Sequence, residues 1–169
     1  MTFVGLISDT HGVFGEEFRK FLEPVDVIWH AGDWGGGGGF ARSLVGSFAP
    51  EKPVVGVHGN CDGPDIRCEY PASRFFECGG MSVLMTHIGG SPGHYDLAAR
   101  RLIESCRPQI FVCGHSHILK VQWDEHYRMM YLNPGAAGLQ GWQVMRTALR
   151  FRIGGGSLDG MEVFNLPRA

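Results

Sequence analysis

Five short stretches set carboxylate, amide and imidazole side chains beside glycine: Asp9 and His11 in "SDTHG", Asp33 in "AGDW", Asn60 in "HGNCD", His87 in "MTHIGG", and His115 with His117 in "CGHSHIL". Nitrogen and oxygen donors without thiolate suit borderline or hard cations such as Mn²⁺, Fe or Zn²⁺ rather than a soft Cu(I) site. Seven such groups exceed the needs of one tetrahedral zinc and suit two cations sharing a bridging carboxylate. Taken singly, each piece also has a plain reading. Asp-x-His arises by chance, Gly-Asp or Gly-Asn after a strand is commonly a turn, and His-Ser-His alone can be an exposed loop.

The elements that must carry these residues turn the pieces into a set. "TFVGLIS" reads as a strand, "GEEFRKFLE" as a helix, "VDVIWHAG" as a strand, the stretch from Phe40 to Phe48 as a helix, and "KPVVGVHGN" as a strand. This alternation predicts βαβ units with parallel pairing and right-handed crossovers. After a loop rich in Pro and Asp, "SRFFEC" and "MSVLMTH" form a hairpin turning at Gly79-Gly80, followed by the helix "YDLAARRLIESC" and the strand "QIFVC". From His117 onward only strands are expected: "ILKVQWD", "YRMMYLN", "QVMRTALRFRI" and "LDGMEVFNL", the last two joined by a "GGGS" turn. Thr147, Leu149, Phe151 and Ile153 share one inward face, and Arg146, Arg150 and Arg152 read as the solvated face of a half-covered sheet. Two sheets packed on each other follow. In open α/β sheets ligands bind beyond the carboxyl ends of the strands. All seven candidate groups follow the ends of five such strands, so they should converge, with Gly32, Gly59 and Gly114 letting the backbone turn and approach the ions.

Composition bounds the setting. A chain of 169 residues with 44% apolar residues is expected to form one domain spanning residues 1–169. Net charge −2 and the lack of a Lys/Arg block argue against nucleic-acid or anionic-membrane binding, and no apolar run is long enough to span a bilayer. Cys61, Cys68, Cys78, Cys106 and Cys113 make an odd count without a Cys-x-x-Cys pair, which indicates neither a disulfide framework nor a zinc ribbon and points to a reducing compartment. The N-terminus lacks the features of a signal peptide, and the expected location is cytoplasmic.

"DTH" at 9–11, "GD" at 32–33, "GNCD" at 59–62, "TH" at 86–87 and "GHSH" at 114–117, in this order, resemble the signature of calcineurin-like metallophosphoesterases. The likeness is strongest to the small single-domain bacterial and archaeal phosphodiesterase branch, where "NPGA" at 133–136 also has a counterpart. The resemblance implies a four-layer αββα sandwich of two mixed sheets flanked by helices, with a dinuclear site at one edge. It implies that Asp9, His11 and His117 hold one metal and that Asn60, His87 and His115 hold the other, with Asp33 bridging. The implied cofactor is two divalent ions, Mn first, with Fe, Zn, Ni or Mg as alternatives. The implied chemistry is in-line attack on phosphorus of a small phosphoester by a hydroxide activated between the metals, with Asn60 also able to bond the phosphate.

The chain departs from the wider family at Cys61, where many relatives carry a His that protonates the leaving oxygen; a thiol is the weaker acid. It departs again in "THIGGSPGHY", whose extra residues set His94 and Tyr95 at the expected mouth of the site. There His94 is either a substitute proton donor or a surface histidine near a helix start. Gly35 to Gly39 read either as a flap over the site or as a flexible connection into the next helix. His30 and His58 read as supporting or core groups, and His126 as structural. Two further readings compete with a phosphodiesterase: a phosphomonoesterase, and a non-catalytic scaffold of the kind the retromer subunit represents. Filling of all seven ligand positions favours the enzyme, and a homo-oligomer is left open.

Overall fold

A strand whose every side chain is apolar can be stable only if both of its faces are covered. The computed structural model, which describes residues 1–48, 50 and 52–168, covers both. Strand β1 (Thr2–Ile7) sends Val4 and Leu6 into one apolar core and Ile7 into another. The chain then runs through α1 (Glu16–Leu22), β2 (Val27–His30), α2 (Gly37–Gly46), β3 (Val54–Gly56), α3 (Pro64–Glu69), β4 (Ser73–Cys78), β5 (Met81–Thr86), β6 (Gly90–Ser91) and β7 (His94–Tyr95). It ends with α4 (Leu97–Cys106), β8 (Ile110–Val112), β9 (Leu119–Asp124), β10 (Met129–Pro134), β11 (Met145–Gly154) and β12 (Ser157–Pro167).

Two five-stranded mixed sheets result, ordered β12-β11-β1-β2-β3 and β4-β5-β8-β10-β9. Strands β1, β2 and β3 run parallel in the first, and β5, β8 and β10 run parallel in the second. The sheets face each other through Leu6, Trp29, Met85, Val112, Leu149 and Phe151. On the far side of the first sheet, α1, α2 and α3 bury Phe18, Leu22, Leu44 and Ile66 against Ile7, Ile28 and Ala148. On the far side of the second, α4 buries Ala99 and Ile103 against Leu84, Phe111 and Tyr131. The mixed α/β sandwich inferred from the sequence is therefore the one observed, and the carboxyl ends of β1, β2, β3, β5 and β8 open on the same edge.

Three local expectations need correction. The Arg146, Arg150 and Arg152 face is not solvated: Arg146 is buried over the Phe18 ring and donates to the carbonyls of Ala137 and Phe14 at 2.8 and 2.5 Å. Arg150 lies over Phe21 and donates to its carbonyl at 2.7 Å, so only Arg152 of the three is exposed. Helix α1 covers this face, and the arginine stems extend the apolar layer beneath it. The loop after Cys61 contains a helix, α3, too short to announce itself by periodicity but started by Pro64 in its first turn. Helix α2 begins at Gly37 rather than near Phe40, because the Gly38 amide donates to the Asp65 carboxylate and the Gly35 amide to Asp62, at 3.2 Å. The glycine run is thus the tethered first turn of a helix and not a free flap.

Candidate metal centre

The seven residues picked out in the sequence come together at the edge just described. Asp9 Oδ1 lies 3.1 Å from His117 Nε2 and 3.7 Å from His11 Nε2. Asp33 Oδ2 lies 3.2 Å from His87 Nε2 and 3.7 Å from His11 Nε2, so one carboxylate oxygen faces imidazoles of both groups. Asn60 Oδ1 and His115 Nδ1 are 3.0 Å apart. Donor atoms of Asp9, His11 and His117 form one cluster and those of Asp33, His87 and His115 another, each compact enough to hold a cation.

Backbone strain marks the same residues. Seven non-glycine residues among those described have left-handed φ, and five of them are Asp9 (53°), His11 (46°), Asp33 (56°), His115 (68°) and His117 (61°). Each such residue costs of the order of 1–3 kcal/mol and persists only where its surroundings over-determine it. The surroundings here are specific. Asp9 Oδ2 accepts from the Ser8 hydroxyl at 2.6 Å and the His115 amide at 3.0 Å, which leaves Oδ1 aimed inward. Asp33 Oδ1 accepts the Cys61 amide at 2.8 Å, leaving Oδ2 likewise.

The imidazoles are locked in the same sense. His87 Nδ1 donates to the Ala31 carbonyl at 2.7 Å, and His117 Nδ1 faces the Gln140 carbonyl at 3.0 Å and Gln143 Oε1 at 3.2 Å. Both rings therefore turn an Nε2 lone pair toward a carboxylate, the second-sphere pattern that fixes a metal-binding tautomer. Among the described residues, His87 Nε2 is the one buried side-chain N or O atom without a hydrogen-bond partner. A proton on the ring or a divalent cation shared with the carboxylate oxygen 3.2 Å away would satisfy this nitrogen. The donor set fits a divalent metal.

Electrostatics agree. Burial alone would raise the Asp9 carboxyl, but His11, His117, His87 and the Ser8 hydroxyl hold it well below the usual carboxylate range. Burial is likewise outweighed at Asp33, where His87 and the Cys61 amide lower the carboxyl. At His87 burial opposes the charged ring, yet Asp33 and Asp9 raise it; His117 is raised chiefly by Asp9. His30, by contrast, is fully buried, stacked on Trp34 at 3.8 Å between ring centroids, and pushed down to about 3 by desolvation. Its Nδ1 accepts from the Gly32 amide at 3.1 Å and its Nε2 meets Thr10 Oγ1 at 3.1 Å, making it a neutral brace under the Asp33 loop. His58 Nδ1 is taken by the Tyr70 carbonyl at 2.8 Å.

Other supports did not stand out in the sequence. Asp62, quoted only as part of a motif, accepts the amides of Gly59 at 2.8 Å, Trp34 at 3.3 Å and Gly35 at 3.2 Å, and so clamps the Asn60 loop to the Asp33 loop. Asn133, in "NPGA", is buried and donates to the Gly114 carbonyl at 3.0 Å and Ser116 Oγ at 3.1 Å, bracing the two-histidine loop. Cys61 Sγ is grouped with His11 and Asp33, and burial together with the Asp33 carboxylate pushes its thiol up. Tyr95 departs from its expected place at the mouth of the site, whereas His94 takes the surface position, one of its two readings. Tyr95 turns into the outer core, its hydroxyl donating to Asp124 at 2.5 Å and its ring edge-on to Phe111. His94 is exposed on the β6–β7 hairpin, paired with Ser91.

Close approach explains two glycines. A Cβ on Gly59 would collide with the Asp33 backbone and carboxylate, and one on Gly114 with Ser8 and Asp9. Gly59→Ala is expected to cost about 3 kcal/mol, the upper end for overpacking against atoms that cannot yield. Gly39→Ala in α2, where a Cβ meets nothing within 4 Å, should instead add up to about 1 kcal/mol through helix propensity. Urea unfolding of both variants checks the contrast, and equal midpoints would refute it.

Known proteins share this architecture. A Thermotoga maritima protein solved by solution NMR is 26% identical, with a TM-score of 0.69 over 98% of this chain and 100% of that one. The zinc complex of Vps29 from Entamoeba histolytica is 15% identical with a TM-score of 0.73, covering 99% of each chain. YfcE, a phosphoesterase from E. coli, is 15% identical with a TM-score of 0.59, covering 95% of this chain and 98% of that one. At such identities the last two show a common fold. No curated protein sequence matches the chain. Residues 2–155, which carry all the clustered donors, match the calcineurin-like phosphoesterase superfamily domain, and the chain belongs to that superfamily.

Proposed function

We propose that the protein is a metal-dependent phosphodiesterase acting on a small phosphoester. Asp9, His11 and His117 would hold one divalent cation, and Asn60, His87 and His115 the second. Asp33, whose Oδ2 faces both His87 and His11, would serve both, with Mn²⁺ as the first candidate metal. The observation that carries this reading is the orphaned His87 Nε2, held by Ala31 and aimed at a carboxylate oxygen that also faces His11. Two cations bound there supply a water of lowered pKa and positive charge for the phosphoryl oxygens.

The chain's own groups do the rest. Ser8 and the amides of His115 and Cys61 hold the outer carboxylate oxygens, so the inner ones stay fixed without reorganisation. Asn60 is exposed; one Nδ2 hydrogen donates to Cys61 Sγ and the other can donate to a phosphate oxygen, while Oδ1 faces His115. The Cys61 thiol stands beside it, 3.6 Å from Nδ2, where it can face a departing oxygen.

Metal-stripped protein should be inactive on bis(4-nitrophenyl) phosphate and regain activity with added divalent metal, Mn²⁺ foremost. It should prefer this diester to 4-nitrophenyl phosphate in kcat/KM by at least about tenfold, about 1.4 kcal/mol of transition-state stabilisation. Preference for the monoester would replace the reading with a phosphomonoesterase, and inactivity with every metal would leave the scaffold.

A further inference from the structure

A cavity of about 370 Å³ opens directly off the second cluster, with Asn60 and His87 in its wall. One side comes from the segment after β3, through His58 and Arg67, and from Ala72; the other comes from Ile88 and from Ala98 and Leu102 of α4. A larger cavity of about 840 Å³ lies against α1, where Arg19, Lys20 and Lys52 mix with Glu16, Glu23 and Asp26, and it contains none of the site residues. The smaller one is continuous with the chemistry.

Its chemistry selects the occupant. The lining from Ala72, Ile88, Ala98 and Leu102 is apolar. Arg67 looks like an anion trap but is engaged elsewhere: Nε donates to the Asp62 carbonyl at 2.7 Å, Nη1 pairs with His58 at 3.3 Å, and Nη2 reaches the Gly59 and Asn60 carbonyls at 3.3 and 3.4 Å. Four of the five guanidinium N–H groups are thereby committed, and what an Arg retains once its edges are taken is its face, a stacking platform for a planar ring. The Asp96 carboxylate, which caps α4 and also lines the cavity, disfavours a second anionic group. A cavity of about 150 Å³ already accepts benzene, so this volume suffices for a one- or two-ring group.

We propose that this groove binds a planar, uncharged aromatic substituent of the phosphoester, placing the phosphorus against Asn60 and His87. The proposal rests on the phosphodiesterase reading, and its test separates the two. Protein loaded with diamagnetic Zn²⁺ and labelled at Ile and Leu methyls would be titrated with phenylphosphonate and methylphosphonate. Phenylphosphonate should bind at least tenfold more tightly and shift the Ile88 and Leu102 methyls; methylphosphonate should leave them in place. Ala98→Trp and Ala72→Trp fill the groove from opposite sides, both at exposed positions. Each should weaken phenylphosphonate about tenfold, leaving methylphosphonate affinity, zinc content and melting temperature unchanged. Equal binding of the two phosphonates with both methyls unmoved would overturn the groove proposal and leave the site reading standing. Failure of both phosphonates to bind the zinc-loaded protein would overturn the groove proposal and the site reading together.

Discussion

Asp33→Ala is expected to lower kcat/KM on an activated diester by about 10³-fold or more and to leave no more than one tightly held ion per chain. Asp33 Oδ2 faces His87 at 3.2 Å and His11 at 3.7 Å, whereas Asp9 Oδ1, 3.1 Å from His117 and 3.7 Å from His11, comes no nearer than 3.8 Å to His87. If two cations bind as proposed, removing Asp33 would withdraw charge from both, and several kcal/mol of transition-state stabilisation would depend on them, each 1.36 kcal/mol being tenfold in rate. His117→Ala, which touches only the Asp9 and His11 cluster, should release one ion preferentially. Alanine at position 33 also has to adopt φ 56°, which Asp and Asn tolerate better. Asp33→Asn therefore serves as the companion variant: it keeps the left-handed backbone and should lose metal and activity while melting close to wild type. Elemental analysis of gel-filtered protein is the check. Two ions retained by both variants would show that Asp33 does not bridge.

A steep dependence on leaving-group pKa is the second large effect expected. Cys61 stands where an imidazole would supply a better acid, and its thiol is pushed up by burial and by the Asp33 carboxylate. Aryloxides of low pKa leave without help, so substituted aryl phosphodiesters should react fast and alkyl esters slowly. Cys61→His should raise rates for the poorest leaving groups by roughly 10- to 100-fold, within what general acid catalysis supplies, and barely affect 4-nitrophenolate. His94 is exposed on its hairpin, and the cavity that includes Asn60 and His87 does not include it among its lining residues, so His94→Ala should leave the slope unchanged. Parallel plots for wild type and Cys61→His would remove Cys61 from the leaving-group side; a steeper plot for His94→Ala would restore His94 to it.

The strands and the candidate ligands were legible for the same physical reason. Runs such as "FVGLI" and "IFV" can be satisfied only by burial on both faces, and parallel strands bring their carboxyl ends to one edge, so Asp9, Asp33, Asn60, His87 and His115 had to converge. What failed depended on contacts between residues far apart in sequence. Arg146 belongs to a buried layer because the Phe14 carbonyl, 132 positions away, accepts its guanidinium. Gly37 and Gly38 start a helix against their own propensity because the Gly38 amide has Asp65 as a partner. Tyr95, placed by sequence proximity at the mouth of the site, is drawn into the outer core by Phe111, Tyr127, Tyr131 and Asp124. Asp62 is a loop aspartate in sequence, and only the fold shows the three amides it gathers.

Anomalous diffraction from crystals of the Mn²⁺-loaded protein tests the dinuclear assignment most directly. The expected result is two peaks about 3.5–4 Å apart, the spacing of a two-metal clamp. One should contact Asp9, His11 and His117, the other Asn60, His87 and His115, with Asp33 reaching both. A single peak, or His115 and His117 turned away from Asp9 and Asp33, would contradict it.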